Sequence, residues 1–171
     1  LLLHAGGVSH PVTGRSVVYV APSQVGKTTL TLELAQHFGY LSDESIAITE
    51  DLEILPYPKP LSVRDPLGGP RRELGPDALG LRVFPDHPQL TKLLILDRQD
   101  DHAGPPEIEE LDVFEVVAVL GPQTSWLSSV PAGLHRLDLL LQLTGGALKV
   151  TYREAASLLP LVIELLGDPD E

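Results

Sequence analysis

The chain has 171 residues, enough for one domain with a sizeable core, and its 43% hydrophobic and 21% charged residues are ordinary globular values. The formal charge is −12, from 24 acids against 12 bases, which disfavours broad binding to nucleic acid or to an anionic membrane, since both need a basic surface. There is no cysteine for a disulfide frame, no apolar run of membrane-spanning length and no signal-peptide pattern, so the expected location is cytoplasmic.

The chain opens on Leu1 without an initiator Met, and a fragment or trimmed product is the expectation. Residues 1–5 (LLLHA) read as a short buried strand, and Gly6-Gly7 as a turn or a point of close approach. Residues 8–14 form a second extended piece that closes in a turn at Thr13-Gly14-Arg15. Val17, Val18, Tyr19 and Val20 are apolar in succession, the mark of a strand covered on both faces. Over residues 26–38, Leu30, Leu34, Ala35 and Phe38 make one helical stripe, with Gly39 placed for a positive φ past the helix end. Tyr40-Leu41-Ser42 reads as a strand delivering Asp43-Glu44, and residues 46–49 and 52–55 as a hairpin.

Residues 56–89 differ in character. They hold eight prolines, four glycines and five of the twelve bases: Lys59, Arg64, Arg71, Arg72 and Arg82. Such a loop is a solvated excursion or a basic lid over substrate or nucleotide. Residues 92–97 are a buried strand ending in Asp97, which reads as a structural turn residue. Leu111, Phe114, Val117 and Ala118 then have helical spacing, a turn follows at Gly121-Pro122, and Trp126 reads as core. Leu134, Leu137, Leu140 and Leu141 predict a second helix, closed by Gly145-Gly146. After a strand over 148–152, Thr151 and Glu154 have the spacing of a capping box that opens a last helix, kinked at Pro160. His10, His37, His87, His102 and His135 show no ligand spacing and read as surface residues. One domain over 1–171 accommodates all of this.

Between the strand at 17–20 and the first helix lies Ala21-Pro22-Ser23-Gln24-Val25-Gly26-Lys27-Thr28-Thr29. Strand, phosphate-sized loop and helix is the order a P-loop needs. Backbone N–H groups at a helix N-terminus bind phosphate, and the helix dipole favours the anion. The cofactor-binding candidates are therefore Ala21, Ser23, Gln24, Val25, Gly26, Lys27, Thr28 and Thr29. Gly26 allows close approach, Lys27 reaches β- and γ-phosphates, and Thr28 can hold Mg²⁺. Ala21 stands where a first Gly is usual, and Gln24 where Gly is frequent. Asp43-Glu44 and Asp97 are the acids that a strand end would bring beside this loop, and an Asp there can accept the proton of an acceptor hydroxyl. No N-K-x-D stretch is present to read guanine.

The segments LLLHAGGV and VVYVAPSQVGKTTLTLELAQHFGYLSDESIAI resemble the catalytic domain of the HPr kinase/phosphorylase family. They resemble still more the small HPr-kinase-like proteins found with lasso-peptide and other ribosomal-peptide gene clusters, as do QTSWL, GLHRLDLLL and VTYREA. The resemblance implies an α/β fold, a mixed sheet with flanking helices akin to phosphoenolpyruvate carboxykinase. It implies ATP and Mg²⁺ as cofactors, and transfer to a hydroxyl on a peptide or protein, in a family whose members form homo-oligomers. Asp43 matches the general base, Glu44 a second acid near metal and substrate, His4 a histidine close to the phosphates, and Thr28 the hydroxyl on Mg²⁺. Lys59 or Arg64, in a segment like one in the small relatives, is expected to touch phosphate. The family's E-x-R-G-x-G signature has no counterpart here, which leaves open a non-catalytic nucleotide-sensing module acting through a partner.

Overall fold

The computed structural model describes residues 1–21, 26–63, 69–124 and 131–171. Six strands make the main sheet: β2 (Ala5–Ser9), β3 (Arg15–Val20), β4 (Gly39–Ser42), β9 (Gln89–Arg98), β10 (Glu107–Leu111) and β11 (Ala147–Tyr152). Their order is β10-β11-β9-β3-β2-β4, parallel from β11 through β9 to β3 and antiparallel elsewhere. β4 pairs antiparallel with β2, so it points the same way as β3 and β9. All of these strands therefore end at one edge of the sheet, where the candidate site lies.

Val17, Val18, Tyr19 and Val20 are completely buried, as expected of a central strand covered on both faces. On one face Val17, Tyr19, Leu94, Leu96, Val150 and Tyr152 pack under α1 (Lys27–Leu34) and α4 (Leu159–Leu166). On the other, Val18, Val20, Leu93 and Ile95 pack with Val116 and Leu120 of α2 (Val113–Gln123) and Leu137, Leu140 and Leu141 of α3 (Gly133–Leu143). That second core also takes Leu3, Ile46 and Ile54 from a small sheet of β1 (Leu2–Leu3), β5 (Ile46–Ile48) and β6 (Ile54–Leu55). The predicted hairpin over 46–55 is there, with Ala47 opposite Leu55. The architecture is a mixed α/β sheet with helices on both faces.

Several expectations are corrected. Gly6 and Gly7 lie inside β2 and make no turn; the close approach is what requires them, since a Cβ on Gly6 would fall 2.4 Å from Tyr19 Cε2. Gly39 does not take a positive φ. It opens β4, and a Cβ there would meet Phe84 Cα at 2.6 Å. Residues 56–89 are not wholly loop: β7 (Leu61–Val63) and β8 (Arg72–Leu74) pair antiparallel, and a short 3-10 turn spans Asp77–Leu79.

Helix α2 starts later than its predicted stripe, because Leu111 ends β10 and Asp112 caps the helix through Phe114 and Glu115 N–H. Phe114 is 82% exposed and faces water, and Gly121-Pro122 belongs to the last turn of α2. Leu134 is likewise exposed. Thr151 stays in β11, paired with Asp97, so no capping box forms with Glu154; a 3-10 turn over Ala155–Leu158 leads into α4 instead. Pro160 sits in the first turn of α4, where its missing N–H has no intrahelical partner to lose, and it causes no kink. His10 is 3% exposed, far from a surface residue: its Nδ1 accepts from Val12 and Thr13 N–H, so Nε2–H donates to Asp168 O at 2.9 Å. Ser23, Gln24, Val25, Arg64 and Trp126 lie outside the described residues.

Candidate functional site

Where β3 ends, Ala21 is buried, and the chain next enters α1 through Gly26 at φ 103°. An L side chain rarely takes that backbone angle, so the glycine is fitted to its place. Lys27, Leu30, Thr31 and Leu34 form the buried stripe of α1, at i, i+3, i+4 and i+7. Lys27 is thereby turned inward and is 7% exposed, with Nζ donating to Ala21 O at 2.7 Å. Burial lowers its pKa, while the charges of Asp43 and Glu44 act the other way. An ammonium this dry is poised to gain from any anion brought to it.

Helix geometry sends Thr28, one residue on, toward the end of β4. Its Oγ1 donates to Asp43 Oδ2 at 2.9 Å, and Asp43 is 6% exposed. Ser42 Oγ accepts from the N–H of Glu44 and of Ser45, a local turn that fixes how the two acids leave the strand. The phenol of Tyr40 shares its proton between Lys59 O at 3.1 Å and Asp43 Oδ1 at 3.4 Å. Burial, and then the Asp43 charge, push the Tyr40 pKa up, so the phenol remains a donor through neutral pH. Lys59 reaches in from the segment before β7, 2.6 Å from Glu44 and 3.7 Å from Asp43. The hydrogen bond from Lys59 holds the Glu44 carboxyl below its usual range. For Lys59, desolvation pulls the pKa down, but the Glu44 hydrogen bond and the two carboxylate charges outweigh it and the net shift is upward.

Lys27, Thr28, Asp43, Glu44 and Lys59 face one cavity of about 600 Å³. His4, Gly26, Lys27, Thr28, Thr29, Asp43 and Glu44, all named from the sequence, line it together. Ala21 takes part through its carbonyl on Lys27. Lys59, Arg71 and Arg98 complete the charged lining, with Leu32, Ser62 and Val63 beside them. Lys27, Lys59, Arg71 and Arg98 against Asp43 and Glu44 make the cavity basic in a chain of net charge −12. That balance suits an anion carrying several charges. Asp97 does not join: it faces Lys149 and Thr151 on the opposite side of the sheet. Arg98 and Tyr40 are site residues that motif reading passed over. Arg98 continues the row of Leu94 and Leu96 in β9, and alternation along the strand would have found it, whereas Tyr40 is only the second residue of β4 and follows no such row.

Among the described residues no cluster of three or more metal-ligating side chains exists. The Thr28 hydroxyl and the Asp43 and Glu44 carboxylates are hard oxygen donors, the kind Mg²⁺ takes one or two of while keeping water and substrate phosphate for the rest. The donor set fits Mg²⁺ in that mode, and Lys59 competes for Glu44. No helix among the described residues is long and apolar enough to cross a membrane.

Among solved structures, the chain is similar to that of the Hpr(Ser) kinase/phosphatase from Coxiella burnetii, at 14% identity over 96% of this chain and 93% of that one, with a TM-score of 0.49. No family model matches the sequence. No curated protein matches it either. The chemistry of the site therefore rests on its own geometry.

Proposed function

We propose that this protein binds Mg²⁺-ATP in the basic cavity and transfers the terminal phosphoryl group to a hydroxyl on a peptide or protein. The observation that carries the reading is the hydrogen bond between Thr28 and Asp43. It ties the start of a phosphate-type loop and helix to a nearly dry carboxylate, 2.9 Å away, with buried Lys27 beside them. A phosphate cradle needs only the loop; the buried acid next to it is what transfer needs.

In this reading the N–H groups at the start of α1 and Lys27 hold the phosphates, with Ala21, Ser23, Gln24, Val25 and Thr29 completing the loop. Mg²⁺, when bound, neutralises phosphate charge, with Thr28 and Glu44 as its protein oxygens. Asp43 accepts the proton as the acceptor oxygen bonds to phosphorus and the bond to the ADP oxygen breaks. Tyr40, Thr28 and Lys59 surround that carboxylate and set its direction. His4 and Glu44 border the side from which an acceptor would enter. General-base removal costs about 10²–10⁴ in rate. Asp43→Asn should lose that much transfer while calorimetry still finds Mg²⁺-ATP bound within a few-fold of the native affinity. Equal transfer by the two chains would refute the role.

A second reading has one observation in its favour. Lys59 already occupies Glu44 at 2.6 Å, and it belongs to the segment that leads into the β7–β8 hairpin. A nucleotide that drew Lys59 away would alter that hairpin for a partner without any transfer. In that case ATP changes the protease sensitivity of residues 56–89, and Asp43→Asn behaves as the native chain.

A further inference from the structure

Strand β9 runs parallel to β3 and ends beside the loop, with Tyr19 opposite Leu94 and Val20 opposite Ile95. In P-loop proteins an adjacent strand commonly supplies an acid there for the metal. The sequence offers Asp97 for that purpose, but alternation along β9 decides otherwise. Leu94 and Leu96 lie in the core under α1, whereas Leu93 and Ile95 lie in the core under α2 and α3. Arg98 continues the first row and Asp97 the second. Asp97 accordingly meets Lys149 at 3.4 Å and Thr151 at 3.4 Å, on the far face. Arg98 reaches the cavity, and a Cβ on Gly26 would lie 3.7 Å from its Cδ.

The guanidinium is held in place from outside. Its Nε donates to Arg153 O at 3.0 Å and its Nη2 pairs with Asp100 at 2.9 Å. Those bonds use a minority of its N–H donors, so a planar fork remains for a ligand. Of the other cations in the cavity, Lys27 is bonded to Ala21 O and Lys59 to Glu44, while Arg71 comes in from the residue before β8 and not from a strand of the main sheet. Asp43 and Arg98 arrive on strands on opposite sides of β3. The acid therefore comes from one flank and the guanidinium from the other.

We infer that Arg98 is a nucleotide-binding residue, which grips the ATP phosphates from the β9 side by paired hydrogen bonds while Asp43 takes the acidic role from the β4 side. This rests on the nucleotide reading above and adds to it which neighbouring strand supplies cation and which supplies acid. Charge-assisted hydrogen bonds from a guanidinium to phosphate lose about 10- to 100-fold in affinity when removed. A lysine at this position would keep the charge but not the fork.

The test is calorimetric titration of the full chain with Mg²⁺-ATP, together with the unfolding midpoint in the absence of nucleotide. Arg98→Gln, which keeps much of the stem beside Gly26, should weaken binding by about 10- to 100-fold and leave the midpoint unchanged. Arg98→Lys should fall between Gln and native. Arg136→Gln serves as control: that arginine is equally exposed, at 40% against 41%, and pairs with Glu50 away from the cavity. Native affinity in Arg98→Gln, with Lys27→Ala abolishing binding, overturns the inference and leaves the nucleotide reading standing. A loss of affinity matched by a fall in the nucleotide-free midpoint assigns Arg98 to the fold and also overturns it. If the native chain binds no Mg²⁺-ATP, both readings fall.

Discussion

Replacing Thr28 by Val removes one hydroxyl and keeps the shape of the side chain. In the native chain that hydroxyl donates to Asp43 Oδ2 at 2.9 Å, and the acceptor is a carboxylate with almost no exposure to water. Hydrogen bonds to charged groups contribute about 1.5–3 kcal/mol. Thr28 itself is half-buried, so water can partly replace it and the lower part of that range applies, about 2 kcal/mol. For a chain of this size each kcal/mol moves Tm by about 2–4 °C, so Thr28→Val should melt about 4–8 °C below the native protein. In an Asp43→Asn background the acceptor is neutral, and the same change should be milder by about 1 kcal/mol. Scanning calorimetry of the four chains at neutral pH, without nucleotide, reads both quantities. Native melting by Thr28→Val, or equal losses in the two backgrounds, would show that the loop and β4 are not joined at this bond.

Three further outcomes follow from other contacts. Gly39→Ala would set a Cβ 2.6 Å from Phe84 Cα and 2.9 Å from Val83 O, both backbone atoms, and should destabilise by about 1–3 kcal/mol. Gly75→Ala, with no atom within 4 Å and no positive φ, should be close to neutral when both variants are unfolded in urea; equal effects would contradict the packing argument. His10→Ala strips partners from the N–H of Val12 and Thr13 and from Asp168 O, a loss of about 2–3 kcal/mol, and limited proteolysis should cut residues 167–171 sooner. Uncut native-like behaviour would argue against that anchor.

The Glu44–Lys59 pair sets a pH dependence of definite sign. Glu44 is held below its ordinary 4.5, so its contribution is full above 4.5 and is lost as pH falls through the lowered value. Lys59 is raised above 10.5, so its contribution is full below 10.5 and is lost as pH rises through the raised value. Both groups reach water, which keeps the pair to no more than about 1 kcal/mol. The stability gap between native and Glu44→Gln chains should be level across neutral pH and close at both extremes; a gap that persists well into acid would refute the pairing.

What could be read from the sequence follows from how local each cause is. Val17 to Val20, Leu30 with Leu34, and Leu137 with Leu140 and Leu141 are set by burial on nearby faces, and the periodicity carries them. Lys27 and Thr28 could be named because the loop announces its chemistry, whereas a strand end offered Asp97 as well as Asp43 and Glu44, and it was the family resemblance that favoured the pair found in the cavity. β10 was hidden, since Glu107, Ile108, Glu109 and Glu110 are all exposed and no apolar alternation marks an edge strand that pairs only with β11. The helix cap of Asp112 and Glu115 was present as a pattern, but the same pattern at Thr151 and Glu154 is false, because strand pairing with β9 claims Thr151 first. His10 and Gly39 depend on partners far along the chain, Asp168 and Phe84, which no local window contains. Arg98 was legible in principle from Leu94 and Leu96, once the face carrying α1 is known.

In the proposed function, the buried carboxylate beside the loop turns a phosphate site into a phosphoryl-transfer site. Incubating native and Asp43→Asn chains with Mg²⁺ and γ-labelled ATP, over a pool of hydroxyl-bearing peptides, tests it most directly. The native chain should place label on a peptide hydroxyl and Asp43→Asn none above background, although both bind ATP. Bound ATP with no label passed to any hydroxyl, or the same label from both chains, would contradict it.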